Sequence, residues 1–217
     1  MTETENLEKA FGTVCEEVGM KKEDREVVRS LLAPLRDKSP VTHVHYLHSL
    51  RVALTCREIA KFQHMEEKPL LFAGTLHDIG KALVPEDVLG KTGVWTNRDQ
   101  ALIQKHVMDV YRLLRGRFDF SADIMLWHHR FQAHAYPKKM PKQLHPYSTT
   151  TSLLVAESGR MLALADCYDA LHRSNAKFGK VLTREEVKEK MFAFNPDRKK
   201  LIGALYDAGI LGGETRH

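Results

Sequence analysis

The chain has 217 residues, 43% of them hydrophobic, with 33 Lys and Arg against 28 Asp and Glu for a formal net charge of +5, enough apolar mass for one domain with a real core. Its 2 Trp, 6 Tyr and 9 Phe exclude a disordered chain, and 3 widely spaced cysteines, Cys15, Cys56 and Cys167, exclude a disulfide scaffold. No run approaches the roughly 18 apolar residues of a membrane span, and the start MTETENLEKAFG is acidic where a signal peptide is basic and then apolar. A soluble protein of the reducing cytoplasm is expected, with no membrane partner. The modest, scattered positive charge favours an anionic small molecule over a nucleic-acid groove, so no DNA partner is expected.

Helical punctuation recurs along the chain and period-2 runs of Val, Ile and Thr are nearly absent, which predicts an all-α fold. Residues 5 to 18 and 22 to 36 read as two short helices, an N-terminal helical extension over 1–40 that leaves 41–217 as the main domain. Ser39-Pro40 reads as an N-cap with proline in the first turn, opening a helix to about Phe62 that carries His48, with Val44, Leu47, Val52, Leu54 and Ile59 as its apolar contacts. Pro69 starts a helix that ends at His77-Asp78-Ile79-Gly80, with Gly80 as a left-handed stop. A connector from Lys81 to Val94, with a short turn near Pro85, leads to Thr96 and Asp99, a capping-box-like start for a helix to about Leu114 containing His106. Ser121 is expected to cap another helix, ending in Trp127-His128-His129. Residues 130 to 150, with three prolines and no apolar period, read as a long loop beside a functional site. A helix from about Ser152 to His172 carries Asp166 and Asp169. Thr183 with Glu186 caps the next, and Asn195-Pro196 opens the last, stopped at Gly209.

The chemistry concentrates in the 12 histidines. A single histidine in an apolar helix is more often a hydrogen-bonded core residue than a ligand. Here His48, His77, Asp78, His106, His128, His129 and Asp166 stand at helix ends or on apolar stripes, two pairs of them adjacent. Seven buried polar groups would each need a partner, and a shared metal site satisfies them together. Imidazole and carboxylate suit divalent Fe, Mn, Ni, Co or Zn, and a set without Cys argues against structural zinc. Adjacent helical residues point about 100° apart, so one pair can reach two neighbouring ions.

The order His48, His77-Asp78, later histidines and Asp166 resembles the HD superfamily of metal-dependent phosphohydrolases. Within it, LHDIGKALVPEDVLGKTGVWT, LIQKHVMDVYRLL, WHHRFQAHAYP and LALADCYDAL are similar to the HD-GYP subgroup, whose members hydrolyse cyclic dinucleotides such as cyclic di-GMP; the similarity runs from Val41 to Gly179. The resemblance implies an HD-domain helical bundle over 41–217 with a dinuclear centre. Two divalent ions, Fe or Mn before Ni, Co or Zn, would be held by His48, His77, Asp78, His106, His128, His129 and Asp166. Asp78 would bridge them and Lys81 would contact the scissile phosphate.

Three departures stand out. The subgroup's HHERWDGSGYP is HHRFQAHAYP here, one residue shorter and without its glycines, keeping only Tyr136-Pro137. Asn175 replaces the arginine usual after DAL, leaving Arg173 or Lys177 to bind substrate. Val44 replaces a glutamate that binds a third metal in some members, so two ions are expected. Tyr136 is a candidate for stacking on a base, and Lys138, Lys139 and Lys142 read as a solvated loop. His43 and His45 read as surface caps or pocket lining, and Asp169 either as an orienter of a ligand or as a helix-surface charge. The expected function is hydrolysis of a nucleotide phosphoester. The alternatives are an HD-type di-iron oxygenase and an inactive module that binds a cyclic dinucleotide. Oligomeric state is not legible in the sequence.

Overall fold

Local capping chemistry sets several of the helix starts. In the computed structural model, which describes residues 2–142, 146–172 and 181–213, Thr2 and Glu5 form a capping box at the head of α1 (Glu3–Glu17). After α2 (Lys22–Asp37), Ser39 and Thr42 form another at the head of α3 (Pro40–Phe62), with Pro40 in the first turn. Helix α4 (Glu67–Leu76) runs almost directly into a 3-10 turn at Ile79–Leu83. Then come α5 (Glu86–Leu89), α6 (Asn97–Leu114), α7 (Asp119–Met125), α8 (Thr149–His172), α9 (Arg184–Phe194) and α10 (Lys199–Asp207). The expected boxes at Thr96 with Asp99 and at Thr183 with Glu186 are present, and Gly209 takes φ +71° after α10. Each box satisfies two otherwise orphaned backbone donors. All regular structure among the described residues is helical, and none of these helices is long and apolar enough to cross a membrane.

Five local expectations need correction. Ser121 does not cap a helix: it lies inside α7, its hydroxyl donating to the Pro69 carbonyl at 3.4 Å, while Asp119 in the first turn accepts from the Gly116 backbone and the Arg115 guanidinium. That helix ends at Met125, so His128 and His129 sit in the turn that follows it. Helix α8 starts at Thr149 rather than Ser152, with the Ser148 hydroxyl accepting from the Thr151 N–H. Val44 is 50% exposed and adds nothing to the core. Gly80 is not left-handed: a Cβ there would lie 3.0 Å from His106 Cα and closer still to its carbonyl oxygen, so glycine lets the 3-10 turn press against α6.

Helix α3 is the spine, touching α1, α2, α4, α5 and α8. Its contact with α4 is close because Gly74 faces Ala53, where a Cβ would come within 2.8 Å of the Ala53 Cα. Leu7, Cys15, Val28, Leu32 and Leu35 of the first two helices share one core with Ile59, Leu70 and Leu162, each such apolar side chain contributing about 1.5–3 kcal/mol on burial. Arg160 of α8, 2% exposed, binds Asp197 at 2.7 and 3.2 Å and Asn195 at 2.9 Å, and its guanidinium lies 4.8 Å from the Phe131 ring centroid. It thereby ties the C-terminal helices to the chain that follows His129.

The two kinds of glycine make opposite predictions. Gly80→Ala meets backbone that cannot yield and is expected to destabilise by about 1–3 kcal/mol. Gly12→Ala in α1, where a Cβ meets nothing within 4 Å, is expected to stabilise by about 0.4–1 kcal/mol. Urea unfolding of both variants beside the parent checks the contrast.

Candidate metal centre

Five stretches of chain converge on one buried point. His48 projects from the middle of α3, His77 closes α4, Asp78 opens the 3-10 turn, His106 lies within α6, His128 and His129 follow α7, and Asp166 lies on α8. None of the seven is more than 9% exposed.

They form two groups. The ligand atoms of His48, His77 and Asp78 lie within 4.8 Å of one another, and so do those of His106, His128 and His129. Asp78 joins the groups. Its Oδ2 lies 3.5 Å from His48 Nε2 and 3.4 Å from His77 Nε2, while its Oδ1 lies 3.2 Å from His106 Nε2. Asp166 Oδ1 stands on the first side, 3.2 Å from His48 Nε2 and 3.9 Å from His77 Nε2. Lys81 donates its ammonium to Asp78 Oδ2.

Hydrogen bonds on the far side of each ring fix its tautomer. His77 Nδ1 donates to the Gly74 carbonyl at 2.8 Å, His128 Nδ1 to that of Met125 at 2.5 Å, and His106 Nδ1 to that of Ile103, each three residues back. His48 Nδ1 donates to Asp169 Oδ2 at 2.6 Å. Carbonyls and carboxylates only accept, so Nδ1 holds the proton and the Nε2 lone pair faces inward. His129 Nδ1 lies 2.8 Å from Gln132 Nε2, a contact in which the amide donates to Nδ1; turning the amide to present its oxygen gives the tautomer of the other four rings. Among the described residues, Nε2 of His77, His106, His128 and His129 and Oδ1 of Asp78 are buried without a hydrogen-bond partner. Converging buried lone pairs of this kind are costly unless a cation satisfies them. Nitrogen and carboxylate donors in this mixture suit divalent transition metals, so the residues present fit such ions.

Burial pushes the pKa of His77, His128 and His129 down, that of His128 to about 3. Burial alone would raise Asp78 and Asp166, but His77 and Lys81 beside Asp78, and His48 beside Asp166, hold both well below the usual carboxylate range. Both effects make the metal-free protein acid-labile. The unfolded chain takes up protons on His77, His128 and His129 from about pH 6.5 downward and on Asp78 and Asp166 from about pH 3.9, while in the folded chain these five groups resist protonation to lower pH. Stability is therefore expected to fall as pH drops below about 6.5, read as the urea midpoint of chelator-treated protein; a midpoint flat from pH 7 to 5 would show that these imidazoles are not buried and neutral.

Tyr136 stacks on His129, ring centroids 4.4 Å apart, and stands edge-on to His106 at 6.2 Å, so one of its faces is already taken by the cluster. Lys138, Lys139 and Lys142 are exposed. His43 donates from Nδ1 to the Arg36 carbonyl at 2.9 Å near the end of α2. Arg173 and Lys177 lie outside the described residues. Asp169, 6% exposed, is not a surface charge, since it holds His48. Two residues escaped the sequence reading. Arg51, one turn after His48, donates to Asp169 at 2.6 Å, and Gln132, three residues after His129, faces that ring. The i,i+3 spacing was the available signal for both.

A family model described as the HD domain matches residues 46–171. The chain is 26% identical over 218 residues to the 3'3'-cGAMP-specific phosphodiesterase 2 of Vibrio cholerae, an alignment covering 94% of this chain and 39% of the relative. It is 33% identical over 134 residues to a cyclic di-GMP phosphodiesterase of Pseudomonas aeruginosa, covering 58% and 30%. The chain thus spans 39% or less of the length of these two relatives. The HD domain of the Listeria monocytogenes phosphodiesterase PgpH shares the fold, with a TM-score of 0.54 at 21% identity over 82% of this chain and 87% of that one. With the family model spanning α3 to α8 and the histidine-aspartate cluster lying inside that span, the chain belongs to the HD domain family.

Proposed function

We propose that this chain is a metal-dependent phosphodiesterase acting on a cyclic dinucleotide, with His48, His77, Asp78, His106, His128, His129 and Asp166 holding two divalent ions, Fe or Mn. The observation that carries this reading is Asp78, whose two oxygens face different imidazole groups. A pair of such ions supplies Lewis acidity toward phosphoryl oxygens and a lowered pKa for water. The chain's own residues do the rest. Buried neutral imidazoles keep their lone pairs available, and Asp78 spans both groups. Lys81 sits on Asp78 Oδ2, where its ammonium can reach a non-bridging phosphoryl oxygen. In the hydrolysis, the oxygen of water joins phosphorus, one ribose ester bond breaks, and the departing ribose oxygen takes a proton, leaving a linear dinucleotide with a terminal phosphate.

The substrate class rests on the relatives. Two of them are named for cGAMP and cyclic di-GMP, and the PgpH HD domain has been solved with cyclic-di-AMP, at a TM-score of 0.54 to this chain. These ligands share a ring closed by two phosphodiesters and carrying two purines. The shortened loop HHRFQAHAYP leaves the choice among them to experiment. Protein purified with Mn or Fe and without chelators is expected to linearise at least one of the three. Tight binding without turnover would turn the reading toward a sensing module, and neither binding nor product would remove the substrate class.

Two substitutions separate the roles. Asp78→Ala or His77→Ala is expected to lose bound metal and turnover together; elemental analysis showing unchanged metal refutes the ligand assignment. Lys81→Met is expected to retain metal while kcat falls about 10²–10³-fold.

A further inference from the structure

The centre is tied to the first helix of the chain by an unbroken line of charge-assisted hydrogen bonds. His48 Nδ1 donates to Asp169 Oδ2 at 2.6 Å. Arg51 donates from Nε to Asp169 Oδ1 at 2.6 Å and from Nη2 to Asp169 Oδ2 at 3.3 Å. Its remaining arm, Nη1, donates to Glu3 Oε1 on α1 at 2.8 Å. Burial falls outward along the line, with side-chain exposures of 0% at His48, 8% at Asp169, 19% at Arg51 and 65% at Glu3.

We infer that Asp169 and Arg51 are positioning residues that hold His48 in the metal centre, and that Glu3 extends this strap to α1, so that the seating of the first helix sets how tightly metal is retained. This rests on the metal-centre reading above. Three reasons favour a positioning role over a plain salt bridge. His48 is the one imidazole of the five whose orientation is set from a different helix, by Asp169 of α8, whereas the others are held from within three residues. Among the described residues Asp169 receives three donors on two oxygens, so removing Arg51 leaves His48 as its one remaining donor among them. Arg51 also shares a helix with His48, one turn away, so the fork and the ring it steadies move as one body.

The same helix provides a control. Arg57 fastens the other end of α1 through Glu17 at 2.7 Å and reaches α4 through Glu67 at 2.7 Å. Its carboxylate partners are Glu17, Glu58 and Glu67, none of which belongs to the cluster. Arg51 and Arg57 therefore do similar structural work for α1, and only Arg51 reaches toward the centre.

The test uses the full chain, stripped with chelator and titrated with Mn(II) alone by competition against an indicator, with melting temperatures of the metal-free and loaded forms and the visible absorption of a Co(II)-loaded form. Asp169→Asn and Arg51→Ala are expected to weaken retention of at least one ion by about 10–100-fold, to shrink the metal-induced rise in melting temperature and to alter the Co(II) bands. Arg51→Lys is expected to recover much of the loss, and Glu3→Gln to weaken retention by roughly two- to five-fold. Arg57→Ala is expected to lower both melting temperatures equally and leave Mn(II) affinity and Co(II) bands unchanged. Should Arg51→Ala fail to fold, Arg51→Lys and Glu3→Gln decide the matter through the same readouts. Arg51 variants that behave as Arg57→Ala does overturn the strap, and a silent Glu3→Gln beside an affected Arg51→Ala overturns its extension to α1. Parent protein that binds no Mn(II) overturns the metal-centre reading itself and the strap with it.

Discussion

Burying five imidazoles around one carboxylate is the constraint under which the helices of this protein are arranged. Asp78 is 1% exposed and, with Asp166, lies among five rings drawn from three other stretches of chain and from its own neighbour His77. An ionised carboxylate taken from water into such a place costs several kcal/mol unless donors or cations surround it. Lys81 pairs with Asp78, and Asp166 meets the imidazole of His48, so the cluster's two carboxylates share one ammonium between them in charge. That imbalance, together with inward lone pairs, makes the site a receptor for positive charge, and it turns attractive to phosphate only once that charge is supplied.

The scaffold solves the placement problem by using ends as well as faces of helices. On a continuous helix, neighbouring side chains diverge by about 100°, which works against aiming both His77 and Asp78 inward. Here α4 stops at Leu76 and the tighter turn begins at Ile79, so the pair falls on the junction and both side chains enter the cluster. His128 and His129 use the turn beyond α7 in the same way. Close approach of the backbones completes the arrangement. Gly74 lets α4 settle on α3 at Ala53, and Gly80 lets the turn settle on α6 at His106.

The parts legible in the sequence are those governed by short-range chemistry. Thr96 with Asp99 and Thr183 with Glu186 are capping boxes whose partners lie three residues away, and the His-Asp pair announces itself by adjacency. The parts that were missed depend on distant neighbours. Ser121 has the residue type of a cap, but its hydroxyl is drawn to the Pro69 carbonyl of another helix. Gly80 has the residue type of a left-handed stop, yet its meaning comes from the α6 backbone at His106. Val44 fits the apolar pattern of α3 and yet faces outward, 50% exposed, while Thr42 and Tyr46 on either side of it are buried. Arg51 looks like an ordinary surface arginine until α8 brings Asp169 opposite it, 118 residues away in sequence.

The two halves of the cluster differ in the field they offer. The half containing His48 and His77 faces Oδ2 of Asp78 and Oδ1 of Asp166, with a third carboxylate, Asp169, behind His48. The half containing His106, His128 and His129 has Oδ1 of Asp78 at 3.2 Å from His106 Nε2, with Asp166 acting on His128 and His129 from further away, and its rings are backed by two carbonyls and an amide. A carboxylate behind an imidazole raises its basicity more than a neutral carbonyl does, and carboxylate donors cancel cationic charge where imidazoles do not. Equal ions placed in the two halves would therefore meet unequal stabilisation. The surroundings follow the same division. Lys81 stands at Asp78 Oδ2 on the carboxylate-rich side, and the Tyr136 ring lies over His129 on the imidazole-rich side. The aromatic ring of this loop is thus packed on the half where neutral donors predominate.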